Sequence, residues 1–510
     1  MHPYVSATLT IAFFFIIQRL FASRNRVRLP PGPHRWPIIG NLLDMPRETP
    51  WLTFSEWGRK HGDISSITVL GQPVIILNSV KAATELLTNK GKIYSNRPEL
   101  SPTGELIGWK NILPLLRIGE SFKRYRKFWH QEFGTHLAMK KYHGIEETAM
   151  VKFLRDIGKS SQDLTSHIKT HIGAVTLGIT FGFDVNGPDD PGVTGLDHAM
   201  QQFAIVTAPE SFLVNLVPAL RYIPSWLPGG GLFKKCAISV ENLDMLGTAP
   251  YEAAKSQIDA GLTRDCLLST IYRSDVSPDE AHIIKWATAS IAAGGFSTRL
   301  SFFQVFFLLM SLNVDVQRRA QAEIDGVVGS GRLPNFKDRE NLPYVDVLCR
   351  EIFRFHAVVP TGLPHVALED DIHDGYTIPK GSLIVANIWN MLHDPQSYAD
   401  PDTFNPSRFI SSEGHPAERD IYDFIFGFGR RVCPGRVLAD TSLFIMVAMT
   451  LAVYDISKFV DENGVTVEPV LKPLTGSVSQ PTPFKCSIKP RSPAAQALLI
   501  SHADSEVDNA

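Results

Sequence analysis

The densest concentration of chemistry in this 510-residue chain is the run Phe426-Gly427-Phe428-Gly429-Arg430-Arg431-Val432-Cys433-Pro434-Gly435, followed by a helical pattern from Arg436 to Tyr454. A proline directly after the cysteine suits the first turn of a helix, so Cys433 is expected at a helix N-terminus. Free N–H groups and the positive dipole end there favour a thiolate over a thiol, and the thiolate is the form that binds metal. Gly429 and Gly435 permit tight turns and the close approach of backbone to a flat ligand. Phe426 can shield the sulfur, and Arg431 offers a cation to a carboxylate group. A second constellation is Glu351-Ile352-Phe353-Arg354, an acid and a base three apart on one helix face. The spacing alone is common, since Glu56-Trp57-Gly58-Arg59 repeats it, and exposed pairs of this kind contribute about 1 kcal/mol or less.

The pattern Phe426-x-x-Gly429-x-Arg431-x-Cys433-x-Gly435 resembles the haem-binding signature of the cytochrome P450 family at all five of its fixed positions. The resemblance implies a haem (iron protoporphyrin with an axial thiolate) whose iron is bound by Cys433. Thiolate ligation pushes electron density onto iron and favours O–O cleavage. It also implies a buried charge triad of Glu351, Arg354 and Arg408, the last within Pro406-Ser407-Arg408-Phe409. Haem carries two propionates, whose burial needs cationic or hydrogen-bonding partners. By resemblance those partners are Arg126, His365 and Arg431, with Arg126 at the arginine position of the family's Trp-x-x-x-Arg helix. Phe122 stands in place of the tryptophan, so one indole N–H donor is missing.

Gly294-Gly295-Phe296-Ser297-Thr298 resembles the family's oxygen-activation motif, in which an acid and an alcohol pass protons to bound oxygen. Here Thr298 is kept, Ser297 stands where Asp or Glu is usual, and Arg299 replaces a small hydroxyl residue. A hydroxyl relays protons but is a poor source near neutral pH. Ser297 and Thr298 are therefore the expected catalytic pair, with water or substrate hydroxyls sharing in proton delivery, or with a reaction that needs fewer protons than hydroxylation.

The elements that must position these groups read as mainly α with a small β-sheet. Residues 64–69 and 74–77 flank Leu70-Gly71-Gln72-Pro73 as a hairpin, and a further strand is expected at 383–386. Helices are expected near 79–90, 120–138, 243–260, 279–312, 314–328 and 343–357. The stretch from Ile283 to Met310 is apolar enough to cross a membrane, but Arg299 near its middle favours a helix buried inside a large domain. Residues dispersed from Arg126 to Cys433 feed one site, so 34–493 is expected to be a single haem-thiolate monooxygenase domain, with 494–510 a frayed polar tail.

Net charge of -2 and the lack of a basic stripe argue against a nucleic-acid partner. Five scattered cysteines (Cys236, Cys266, Cys349, Cys433 and Cys486) argue against a disulfide framework or a zinc cluster, and suit a reducing compartment. The uncharged run from Tyr4 to Ile17, continued by Leu20, Phe21 and Ala22, is just long enough to span a bilayer. Its positive charges, Arg19, Arg24, Arg26 and Arg28, come late, which favours an uncleaved anchor (1–23) with the body on the cytoplasmic side. Residues 24–33, ending in Leu29-Pro30-Pro31-Gly32-Pro33, read as a basic, proline-rich rigid hinge.

No Gly-x-Gly-x-x-Gly fingerprint or flavin segment is present, so electrons come from a separate protein; by resemblance this is the membrane-bound NADPH-dependent cytochrome reductase. Trp389-x-x-x-His393-Asp394-Pro395 and the ending near Pro490-Arg491-Ser492 resemble the fungal branch that tailors polyketides and terpenoids, of the O-methylsterigmatocystin oxidoreductase type. That implies secondary metabolism at the endoplasmic reticulum membrane, single-pass, with a lipophilic substrate. The expected pocket wall is Phe296, Val358, Val359 and Leu363, with Trp109, Leu113 and Val478 from loops. Two rival readings keep the haem: an isomerase or dehydratase that needs no reductase, and a non-catalytic haem-binding protein.

Overall fold

The computed structural model describes residues 28–99, 109–206, 246–414 and 416–499. The expected anchor (1–23), the first residues of the hinge and Cys236 lie outside the described residues. Ten helices are used below: α1 (Pro50–His61), α2 (Glu120–Phe133), α3 (His143–Lys159), α4 (Leu164–Phe181), α5 (Pro191–Val206), α6 (Thr248–Asp259), α7 (Pro278–Leu312), α8 (Val314–Val327), α9 (Pro343–Phe355) and α10 (Arg436–Val453). The strands are β1 (Ile64–Val69), β2 (Gln72–Leu77), β3 (His365–Val366), β4 (Asp371–His373), β5 (Tyr376–Ile378), β6 (Leu383–Ala386), β7 (Tyr454–Val460), β8 (Thr466–Val467) and β9 (Cys486–Pro490).

Helix α7 is the axis of the molecule. Ser277 caps it by accepting from the Glu280 N–H, and Pro278 at N1 costs no hydrogen bond there. Its 35 residues span about 52 Å. From Ile284 onward most of its residues are buried, against α4 above all and also α2, α5, α9 and α10. Both α7 and α10 are long and apolar enough to cross a membrane, yet 83% of the apolar window of each is buried inside the protein. The sequence reading of α7 as a core helix agrees with this. One hydrophobic cluster runs through most of the described residues, as a single large domain requires.

The principal sheet has the order β1-β2-β6-β3. β1 and β2 form the expected hairpin, but the turn is the two residues Leu70-Gly71, with φ of 50° and 89°, and Gln72 and Pro73 already belong to β2. Pro73 is tolerated because β6 pairs with β2 only from Val74 onward. β6 falls at the expected residues and joins β2 in parallel, a pairing across some 310 residues of chain that no local pattern announces.

The hinge is not a free spacer. The Ser66 N–H and hydroxyl donate to the carbonyls of Pro31 and Pro30, and a Cβ on Gly32 would stand 1.8 Å from the Ser66 oxygen. The segment therefore lies flat against β1. The expected helix at 79–90 is split into Val80–Ala83, capped by Ser79, and a π-helical turn, Thr84–Asn89. The expected frayed tail (494–510) is corrected over its first residues: 493–499 is helical, with Ala495 and Leu499 buried and the Leu499 carbonyl accepting from Arg155 Nε at 2.9 Å, and 500–510 lies outside the described residues. Helix α4, missed by periodicity, is buried on most sides and carries no clean amphipathic stripe; α3 was missed although Glu146, Met150, Phe153, Leu154 and Ile157 bury one face at helical spacing.

Candidate active site

A cavity of about 310 Å³ lies between α7, α2, α9 and the loop carrying Cys433. A larger cleft, of about 850 Å³, opens at the surface beside α8 and β7 and holds none of the residues singled out above.

The cysteine loop is shaped by two left-handed glycines, Gly427 (φ 87°) and Gly429 (φ 52°). They turn the chain so that the Cys433 N–H donates to the Phe426 carbonyl at 2.8 Å. A Cβ on Gly429 would lie 2.4 Å from the Leu87 oxygen and 3.0 Å from Thr88 Cα. The close approach seen at this glycine is to the π-helical turn. Gly435 does face the site, since a Cβ there would sit 3.9 Å from Cys433 Sγ. Phe426 is held by ring contacts with Phe353 (centroids 5.7 Å, edge-on) and Tyr422 (5.8 Å, stacked).

Helix α10 starts at Arg436 with Gly435 as its N-cap, so Pro434 precedes the helix and Cys433 lies two residues before the cap. Burial pushes the Cys433 thiol up, while the Gly435 N–H, Arg126 and Arg436 pull it down; the net shift is upward. The side chain is nevertheless exposed, and the surface it meets is the cavity. Coordination to a metal, which deprotonates a thiol outright, offsets that cost of burial.

At one end of the cavity lie four basic side chains, and among the described residues no Asp or Glu lines it. Arg431 Nε donates to the Ser95 carbonyl at 2.7 Å and Nη2 to Leu116 at 2.8 Å, with the guanidinium over the Phe122 ring at 4.2 Å. Burial and the nearby Arg126 lower its pKa to about 10. Arg126 donates to the Val432 carbonyl in the cysteine loop, and burial lowers it too. His365, on β3, pairs Nδ1 with the Tyr94 carbonyl at 2.7 Å; burial and Arg97 keep the imidazole neutral, well below its usual range.

Arg97 was not found from the sequence. It is buried, and donates from Nε to the Pro114 carbonyl at 2.9 Å and from Nη1 to Leu363 and Pro364, residues more than 250 positions away. Nothing in its neighbourhood of sequence signals that role. The guanidinium groups of Arg97, Arg126 and Arg431, gathered among carbonyls with no carboxylate among the described lining residues, repel one another, and an anion relieves that repulsion.

On α7, Thr298 lines the cavity and its hydroxyl donates to the Gly294 carbonyl at 2.7 Å. Ser297 is buried and is not part of the lining. Arg299 is 2% exposed and turns toward α4, donating from Nε to the Gly295 carbonyl at 2.7 Å and from Nη2 to Thr176. Behind it, the Ser442 hydroxyl donates to Glu146 on α3, whose carboxyl burial raises to about 7 against the pull of Ser442 and Arg299.

Of the two acid–base pairs at the same spacing, the structure buries only one. Glu56 and Arg59 are exposed. Glu351 is fully buried and accepts from Arg354 Nε (2.7 Å) and Nη2 (2.8 Å), from the Asn405 N–H (2.9 Å) and from Arg408 Nε (3.3 Å). The other guanidinium protons go to the carbonyls of Leu392, Ala399, Asp400 and Thr403 and to the Glu418 carboxylate. The triad thus ties α9 to the meander 392–408, and α9 reaches the cysteine loop through Phe353 rather than through the charges.

The apolar wall includes Leu113, Val358, Val359, Leu363 and Val478, as expected. Phe296 and Trp109 belong instead to the core, the latter against Phe203 (5.1 Å), which does line the cavity.

One sulfur donor, an apolar wall and an acid-free cationic end fit a flat iron macrocycle with two carboxylates. The sequence profile described as Cytochrome P450 matches residues 30–487. The chain belongs to the cytochrome P450 family. It is 44% identical over 498 residues to cytochrome P450 monooxygenase 208 of Postia placenta, covering 97% of this chain and 96% of that one. It is 38% identical to cytochrome P450 monooxygenase claR of Ampulloclitocybe clavipes (96% and 91%) and 37% identical to cytochrome P450 monooxygenase ppsD of Aspergillus oryzae (97% and 95%). This P450 is therefore a haem-dependent monooxygenase, of a family that uses a cysteine thiolate as axial ligand and takes electrons from a redox partner. The comparisons reach the family and its fungal members, not the narrower O-methylsterigmatocystin oxidoreductase type.

Proposed function

We propose that this P450 inserts one oxygen atom from O2 into a lipophilic terpenoid or polyketide of fungal secondary metabolism, with Cys433 as the axial ligand. The observation that carries the reading is the Cys433 sulfur opening into a cavity walled by apolar side chains and closed at one end by Arg97, Arg126, His365 and Arg431. The bound haem supplies the activation of O2. The chain's own residues do the rest. Arg126 and Arg431, with His365 and Arg97 beside them, hold the propionates by charge-assisted hydrogen bonds. Phe426 keeps water from the sulfur, and the Gly435 N–H steadies its negative charge. The apolar wall binds the substrate and excludes water. Thr298 already donates its proton to Gly294, so its oxygen faces the cavity as an acceptor and can hold a water that carries protons in. Ser297 lies outside the lining, so the proton path runs past Thr298 alone.

The protein works at the endoplasmic reticulum membrane, single-pass through residues 1–23, with its body in the cytosol beside an NADPH-dependent cytochrome reductase. The late cluster of arginines supports this orientation. Reconstitution with such a reductase, O2 labelled with heavy oxygen and a panel of terpenoids and polyketides tests the reading by mass spectrometry. Label in a product that requires both reductase and NADPH is the expected result. The lack of a carboxylate among the described residues that line the cavity favours a second reading, an isomerase or dehydratase; product formed without reductase and without label selects it.

A further inference from the structure

Away from the haem cavity, the β4–β5 hairpin packs beside the π-helical turn Thr84–Asn89. Lys90 Nζ meets Asp371 at 2.7 Å and the Ile372 carbonyl at 3.0 Å, fastening the two elements. Next to this clasp, His373 at the end of β4 is only 7% exposed, and its Nε2 has no hydrogen-bond partner. A buried imidazole nitrogen without a partner is costly and calls for an explanation. The nearest oxygens are Glu85 Oε2 at 3.4 Å and Asp374 Oδ2 at 3.6 Å. These distances exceed the roughly 2.7–3.2 Å of an N–H···O bond. They match the edge of a tetrahedron, about 3.4 Å, around a cation lying about 2.1 Å from each ligand.

We propose that Glu85, His373 and Asp374 form a binding site for a divalent cation of the zinc class. The three ligand atoms all lie within 4.8 Å of one another. One imidazole and two carboxylates suit zinc or its first-row neighbours, whereas calcium and magnesium ask for six or more oxygens, water included. The imidazole is supplied from the protein interior, and the carboxylates from the surface, where Glu85 and Asp374 are 36% and 72% exposed. The cation has an entry path, and water can complete the tetrahedron. The turn presents its ligand by design of the backbone: Asp374 and Gly375 have φ of 50° and 74°, the two-residue reversal that Asp-Gly favours.

Two residues beyond Glu85, the Leu87 carbonyl lies directly against Gly429 in the cysteine loop. A cation at this site therefore adds a second clasp to the turn on which that loop rests, alongside Lys90 and Asp371.

The haem-loaded, full-length protein is stripped with EDTA and dialysed against micromolar zinc chloride, and zinc is counted by plasma mass spectrometry. One zinc ion per chain is expected, with imidazole scattering and a nitrogen/oxygen shell at about 2.0–2.1 Å at the zinc absorption edge, which is separate from that of haem iron. His373→Ala should lose the ion, and Glu85→Gln and Asp374→Asn should weaken it at least tenfold. Asparagine tolerates positive φ, so Asp374→Asn keeps the turn and decides the matter if His373→Ala does not retain haem. Zinc retained equally by parent and Asp374→Asn, or a shell without imidazole, overturns the proposal.

Discussion

Replacing Glu351 by glutamine changes one oxygen to an NH2 group and leaves shape and volume alone, so it isolates the charge. Glu351 and Arg354 are fully buried and Arg408 nearly so, and the carboxylate is the only acidic partner that Arg354 has among the described residues. Arg408 keeps Glu418 at 2.7 Å. In Glu351→Gln the new NH2 donors face Arg354 Nε, itself a donor, and the Arg354 guanidinium stays buried without a counter-charge. Removing one partner of a buried pair costs about 3–5 kcal/mol. The Arg408 end is partly compensated, so we expect a loss of about 3–4 kcal/mol, a substantial share of the roughly 5–15 kcal/mol that holds a native domain. Guanidinium denaturation followed by far-ultraviolet circular dichroism reads the loss. The carbon monoxide difference spectrum of the reduced protein, at matched protein concentration, reads how much thiolate-ligated haem remains. Adding Arg354→Met should restore part of the stability, because the uncompensated charge leaves with it. A Glu351→Gln protein within about 1 kcal/mol of the parent, or a double variant less stable than the single one, refutes the reasoning.

Glu146→Gln should flatten the dependence of stability on pH. Burial raises the folded carboxyl from 4.5 to about 7, so the native state holds this proton more tightly than the unfolded chain. That stability is complete below pH 4.5 and is lost as pH rises through about 7, some 3 kcal/mol at ~1.4 kcal/mol per pH decade; parallel melting curves against pH for parent and variant exclude it. Thr298→Val should lower product formed per NADPH consumed by at least tenfold at unchanged haem content, while Ser297→Ala stays within about twofold, because only Thr298 lines the cavity; equal effects in a reconstituted assay count against that distinction. Gly429→Ala combines a left-handed φ with a Cβ 2.4 Å from the Leu87 oxygen, so it should cost more than the roughly 1–2 kcal/mol of the backbone strain alone and reduce the haem-bound fraction seen in the carbon monoxide spectrum. Cys433→Ala should abolish that spectrum and turnover together, and a folded variant that still turned over would remove the assignment of the sulfur.

Local chemistry was legible wherever it is written in consecutive residues. The cysteine loop, the hairpin of β1 and β2, strand β6 and the long apolar helix α7 all follow from turn residues, alternation or unbroken hydrophobicity, and all are present in the fold. The loop's five marked positions also disclosed the family, and with it the cofactor. What the sequence could not rank was the worth of equal motifs. Glu56/Arg59 and Glu351/Arg354 share a spacing, and only burial among the carbonyls of 392–408 makes the second a structural joint.

The cationic end of the cavity belongs to the tertiary structure for the same reason. Arg97, Arg126, His365 and Arg431 come from four distant segments, and their convergence depends on the parallel pairing of β2 with β6 and on the packing of α2 beneath the cysteine loop. Tertiary packing also separated Thr298 from its neighbour Ser297: adjacent residues on a helix point about 100° apart, and the arc that lines the cavity takes in Gly294, Gly295, Thr298 and Arg299 but not Ser297. Packing also sets a cost on the Cys433 thiolate that the sequence does not show. The helix end favours the thiolate, but desolvation is the larger effect, and desolvation is a property of everything folded around the sulfur rather than of the residues beside it.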